Sequence, residues 1–207
     1  MAGTVKANQI TLGDSVTDTQ NFALKTNVDG SMKLARKSDA SGGDIITVDS
    51  SGNVKIIGMT AQAVHSQTGV MATGTTIIPG DNTIPQNTEG DQYMTATITP
   101  KSASNKLLIE IVANTGNSIS GAWVIGALFQ DSTANALAAC AMANSATSAV
   151  QQLVIRHEMT AGTTSATTFK FRAGGSSAGT TTFNGQGGAQ LFGGVAASSI
   201  RITEIWQ

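Results

Sequence analysis

The chain has 207 residues, a net charge of −1, 12% charged and 4% aromatic residues, with Gly, Ser, Thr, Asn and Gln in place of the missing charge. Such a balance gives no general attraction to nucleic acid or anionic membrane, and no apolar run approaches the length of a membrane span. The β-branched content argues against disorder, and charged residues at about half the usual ~25% suit an extracellular-type β protein or a subunit that hides surface in an assembly.

The start, Met1 to Lys6, lacks the apolar stretch of a secretory signal, so synthesis in cytosol is expected. Residues 1–57 carry twelve charges, against thirteen in the following 150 residues, and Phe22 is their only aromatic. Apolar residues come in short bursts: Ile10 and Leu12, Phe22 and Leu24, Met32 and Leu34, Ile45 to Val48, Val54 to Ile57. Within the bursts the spacing of two marks one face of a strand, and Asp29-Gly30 and Ser41-Gly42-Gly43 read as turns between them. The stretch Asp44 to Ile57 reads as a hairpin around Asp49-Ser50-Ser51-Gly52-Asn53. A module of this size is marginal alone and is expected to fold against copies of itself or a host surface. Ile10, Leu12, Phe22, Leu24, Met32 and Leu34 are its candidate anchor contacts.

Residues 58–207 are expected to form a second module. Met59 to Val64 fits a helical turn or a strand, Gly69 to Ile78 is strand-like, and Pro79-Gly80-Asp81-Asn82 is a turn opening a loop over 80–92. From Tyr93 the period of two is sustained: Met94, Ala96 and Ile98; Leu107, Ile109 and Ile111; Trp123, Ile125, Ala127 and Phe129; Leu153, Ile155, His157 and Met159; Phe169 and Phe171; Ile200 and Ile202. Strands at this spacing, with polar turns between them, predict an all-β antiparallel sandwich or barrel. Thr133 to Val150 is the one helical candidate. The strand from Ile200 is expected to be central and buried.

Chemistry-bearing constellations are scarce. His157 alternates away from Arg156 and Glu158 and reads as a histidine at the edge of the core, while His65 reads as a surface residue. There is no Gly-x-Ser-x-Gly elbow, no phosphate loop and no metal-ligand spacing, so no catalytic residue, cofactor or metal is assigned. The acidic turns at 39–44 and 49–53 read as Asx turns, lacking the carboxylate pattern of a calcium loop. Cys140, among alanines, reads as a small buried hydrophobe, and Trp123 and Trp206 read as core. Polar loops near 114–121, 131–136, 174–180 and 184–188 supply candidate receptor-loop residues: Asn117, Ser118, Asn135, Ser176, Ser177, Asn184 and Gln186.

The hairpin Val48-Asp49-Ser50-Ser51-Gly52-Asn53-Val54-Lys55-Ile56 resembles turns recurrent in tailed-bacteriophage fibre and virion-surface proteins. The leader from Met1 through Leu34 is similar to the starts of short phage structural proteins, and Ile98 to Ile109 is similar to the jelly-roll heads of such fibres. The resemblance implies a homotrimer, with a virion-attachment module over 1–57 and a jelly-roll-like head over 58–207 on the virion exterior. Lacking an extended shaft, the chain fits a non-enzymatic capsid decoration (cement) or head-fibre protein whose partner is the major capsid protein or another virion protein. The alternative is a short tail-fibre or tail-tip protein that contacts host surface glycans. A small polysaccharide hydrolase is the third reading.

Overall fold

The computed structural model describes residues 9–12, 22–26, 30, 32–36, 46–48 and 54–207. Two compact units are present, residues 1–61 with 205–207 and residues 62–204.

In the first unit β1 (Gln9–Leu12), β2 (Phe22–Thr26), β3 (Met32–Arg36), β4 (Ile46–Val48) and β5 (Val54–Ile56) form one antiparallel meander in chain order. The expected hairpin is β4–β5, paired from Val48↔Val54 to Ile46↔Ile56; its turn, and the acidic turn at 39–44, lie outside the described residues. Register sets the chemistry of the sheet. Ile10, Leu24, Leu34, Ile46 and Ile56 are successive cross-strand partners, forming one row over all five strands. Residues two apart share a face, so by register Leu12, Phe22, Met32, Val48 and Val54 lie on the same side as that row, and so do Thr26 and Arg36, the partners of Met32 and Phe22. The opposite face carries Gln9, Lys25, Lys33, Thr47 and Lys55 as successive partners. The Lys55 ammonium stands 5.6 Å from the Trp206 ring centroid, a cation–π contact. Trp206 is half-buried beside a lysine and belongs to neither buried cluster among the described residues.

The second unit is an antiparallel sandwich. One sheet has the order β11 (Ala138–Ala143), β10 (Trp123–Gln130), β13 (Thr167–Gly175), β8 (Asp91–Ile98). The other has the order β6 (Thr60–Thr68), β17 (Ser198–Ile205), β9 (Lys106–Asn117), β14 (Thr181–Phe183), β7 (Ala72–Gly74), with β12 (Gln151–Thr160) also paired to β9. A two-stranded ribbon, β15 (Gly185–Gln186) and β16 (Ala189–Gln190), completes it. The all-β class is as the sequence predicts.

Between the sheets lie Ile98, Leu107, Ile109, Ile111, Phe169, Phe171, Ile200 and Ile202, each at most 1% exposed. Full burial of such side chains contributes about 1.5–3 kcal/mol each. β12 alternates as expected, with His157 facing inward opposite Ile109 and Arg156 and Glu158 facing out. Gly126 faces the core where a methyl group would come within 2.7 Å of the Phe171 ring, so a larger residue there would displace the ring.

The helical reading is corrected. The helical candidate Thr133–Val150 holds strand β11, paired to β10 from Trp123↔Ala143 to Leu128↔Ala138. Alanine favours helix in isolation, and pairing along the edge of β10 overrides that preference. Strand β10 is buried on both faces, because Ile78 and Ala136 cover the outward Ile125, Ala127 and Phe129. Arg172 fastens the covering segment by donating from Nε to the Glu89 carbonyl (2.8 Å) and from Nη2 to that of Gly90 (2.6 Å).

Candidate interaction surfaces

The candidate receptor-loop residues separate into structural and exposed sets. Asn117 ends β9 fully buried, donating to Thr181 Oγ1 at 3.2 Å and accepting the Ile119 N–H at 2.9 Å. Asn184 is also buried and takes a left-handed φ of 53°, which asparagine tolerates better than most residues. It donates to the carbonyls of Thr68 (2.7 Å) and Val70 (3.2 Å) and accepts from Ser198 Oγ (2.5 Å). These two asparagines satisfy buried backbone groups and present nothing outward. Ser118 and Ser176 are half-buried: Ser118 Oγ accepts the Thr180 N–H, and Ser176 Oγ accepts the Trp123 N–H, both at 2.9 Å. Asn135, Ser177 and Gln186 are exposed, Asn135 accepting from Gln86 Nε2 at 3.0 Å. The stretches 117–118 and 175–180 meet, through the Ser118–Thr180 bonds and Asn117 beside Gly175 and Gly179, whereas no hydrogen bond among the described residues ties Asn135, Asn184 or Gln186 to them.

For the anchor candidates, backbone register places all six on one face of the meander, together with Arg36 and Thr26, and only the Met32 side chain is among those described. Met32 is 38% exposed and its cross-strand relative Val54 is 54% exposed, so within this chain that face is not covered at these positions.

In the sandwich, the outward faces of β6, β17, β9 and β12 form a concavity of ≈ 470 Å³. Its floor includes Ala63, Val112, Val154 and Ser199, and its ionisable members are His65, Arg201, Glu110 and Arg156. Arg156 Nε lies 3.2 Å from Glu110 Oε1. His65 and Arg201 have no partner among the described residues. The Arg156–Glu110 pair, exposed on the arginine side, contributes at most about 1 kcal/mol.

A second, smaller groove of ≈ 260 Å³ lies on the outward face of the other sheet, between β11 and the 79–85 segment. Trp123 stands in it 48% exposed, against the expectation that it is core. The covering segment that seals Ile125 to Phe129 does not seal the first residue of the strand. Asp81 lines the same groove, and its carboxylate is held below the usual range first by the Thr83 hydroxyl and then by the Thr83 backbone N–H.

Cys140 packs against the core from the inner side of β11, and burial pushes its thiol up, as suits a small hydrophobe. Among the described residues there is no group of three or more His, Cys, Asp or Glu placed to hold a metal. No helix of the described residues is long and apolar enough to cross a membrane.

No protein-family model matches the chain, and no curated protein does. Solved structures do. The VP2 subviral particle of infectious bursal disease virus is similar at 11% identity and a TM-score of 0.33, over 93% of this chain and 51% of that one. The infectious bursal disease virus Gx strain matches at 11% and 0.34 over 99% and 57%, and the Gt strain at 12% and 0.34 over 93% and 52%. The chain spans about half the length of these matches, and a likeness this remote carries no functional argument.

Proposed function

We propose that the chain is a non-enzymatic structural protein of a virion exterior, a trimeric capsid decoration or head-fibre protein. The first module grips the major capsid protein or another virion protein, and the sandwich projects outward. One observation carries the reading: the first unit is a five-stranded meander in which register lines up Ile10, Leu24, Leu34, Ile46 and Ile56 in one apolar row, flanked by Thr26 and Arg36, with Lys25, Lys33 and Lys55 on the other face. Strands of three to five residues cannot make a stable core from a single sheet. An amphipathic sheet of that kind is completed by another chain. Burial of the apolar face stabilises the contact at roughly 25 cal/mol per Å², and the outer strands β1 and β5 offer unpaired backbone groups for strand addition.

Copies of the sandwich pack through the concave face of β6, β17, β9 and β12. Its small apolar floor tolerates close approach, and His65 and Arg201 find acidic partners across the interface. Particles assembled without the protein test the role: they should lose DNA under heat or osmotic shock while adsorbing to cells normally. Unchanged robustness would refute decoration.

The second reading, a short tail-fibre or tail-tip protein that contacts host surface glycans, is favoured by the half-exposed Trp123. Blocking of adsorption by the isolated protein is its test.

A further inference from the structure

We infer that the groove at Trp123 binds a neutral pyranose ring, with the indole as a stacking platform and Asp81 Oδ2 as the acceptor for a sugar hydroxyl. The backbone that carries the indole is pre-organised. Trp123 N–H donates to Ser176 Oγ and the Trp123 carbonyl accepts the Ser176 N–H, both at 2.9 Å. Gly80 closes one side: a Cβ there would lie 3.1 Å from indole Cε3, so a side chain at 80 would push the ring out of place. Near half of the indole is nonetheless open to solvent.

The same groove holds a fixed acceptor. Asp81 Oδ1 accepts both the Thr83 N–H (2.8 Å) and the Thr83 hydroxyl (2.6 Å), which leaves Oδ2 with no hydrogen bond among the described residues. Pro79, Pro85 and Ala141 supply rigid, apolar walls. A pyranose ring has the matching chemistry. Its C–H face is weakly positive and lies on the negative face of an aromatic ring, and its equatorial hydroxyls donate to a carboxylate.

Charge narrows the class. The groove is lined by one carboxylate and no Lys, Arg or His, so it disfavours phosphate, sulfate and uronic or sialic acids. Its ≈ 260 Å³ falls below the ~300–1,000 Å³ of drug-sized pockets, which suits one or two sugar rings. A second copy of the chain inserting an apolar side chain is the competing occupant, and it would leave Asp81 Oδ2 unused.

The inference deepens the receptor-binding reading, yet its test is separate from adsorption. Saturation-transfer NMR on the full chain would use methyl β-galactopyranoside and methyl β-glucopyranoside, with N-acetylneuraminic acid as the anionic control. At least one neutral glycoside should take saturation with a Kd on the order of 1 mM, and the acid should take none. Trp123→Ala should weaken that binding about tenfold or more. Asp81→Asn keeps the Thr83 bonds through its remaining oxygen and turns the free acceptor into a donor; it should weaken binding several-fold in a fully folded chain. Three results would overturn the assignment: no transfer to either glycoside, transfer unaffected by both substitutions, or equal transfer to the acid. Adsorption blocked by a protein that binds no glycoside would sink the pyranose site and leave the receptor reading standing.

Discussion

The side-chain amide of Asn105 donates to Glu204 Oε1 at 2.6 Å, with both residues fully buried. Glu204 also accepts from the Lys101 N–H (2.8 Å), the Ser102 N–H (3.3 Å) and Gln62 Nε2 (2.6 Å). One carboxylate on β17 therefore closes the 99–105 loop and ties β6 to it. Glu204→Ala leaves these buried donors unmet, so stability should fall by about 2–4 kcal/mol. Asn105→Ala should cost less, and the double substitution should cost less than the two added together. Urea unfolding of the four proteins checks this; additive losses would mean that the two residues act apart.

Arg172 is the clasp on the segment that seals the second small core. Arg172→Ala frees the carbonyls of Glu89 and Gly90 and loosens the cover over Ile125, Ala127 and Phe129. Hydrogen exchange over 76–90 should rise at least tenfold, while β9 and β17 stay protected. Equal acceleration throughout would show global destabilisation in place of a local clasp.

Tyr93 stacks on Phe183 at 4.9 Å between ring centroids, and its buried hydroxyl has no hydrogen-bond partner among the described residues. Burial, aided by the Asp91 charge, raises the phenol above its usual value of 10.0. The folded state then holds the proton where the unfolded state has released it, so stability falls as pH rises above about 10. Below that the residue contributes no pH dependence. Tyr93→Phe should flatten the alkaline limb and cost little at neutral pH, since no hydrogen bond is lost. Melting temperatures at neutral and alkaline pH measure both effects.

On the meander, Leu24→Asp or Leu34→Asp places a charge in the apolar row, whereas Lys25→Asp changes the opposite face. Recovery of the protein on purified particles should drop about tenfold or more for the first two, since a buried unpaired carboxylate costs several kcal/mol. Lys25→Asp should bind nearly as well as the parent chain. Near-ultraviolet circular dichroism confirms an intact sandwich in each case.

Strands whose two faces see water and core were legible from alternation, as β9, β12, β13 and β17 show. Strand β10 was half legible: alternation located it, but what covers Phe129 and spares Trp123 is the 76–90 segment, a contact between distant residues. Alanines hid β11, because small side chains carry no period. Polarity misplaced Asn117 and Asn184 among exposed loops, since an amide that satisfies buried backbone groups has the same composition as one facing water. Glu204 gave no signal, its partners lying up to 142 residues away. In the first module the bursts were visible, but the cross-strand row from Ile10 to Ile56 exists only once register is known.

Immunogold labelling of purified particles, using antibody against residues 62–204, tests the central claim most directly. Label distributed over the capsid shell is the predicted result. Unlabelled particles, with the protein recovered free in the lysate, would contradict it.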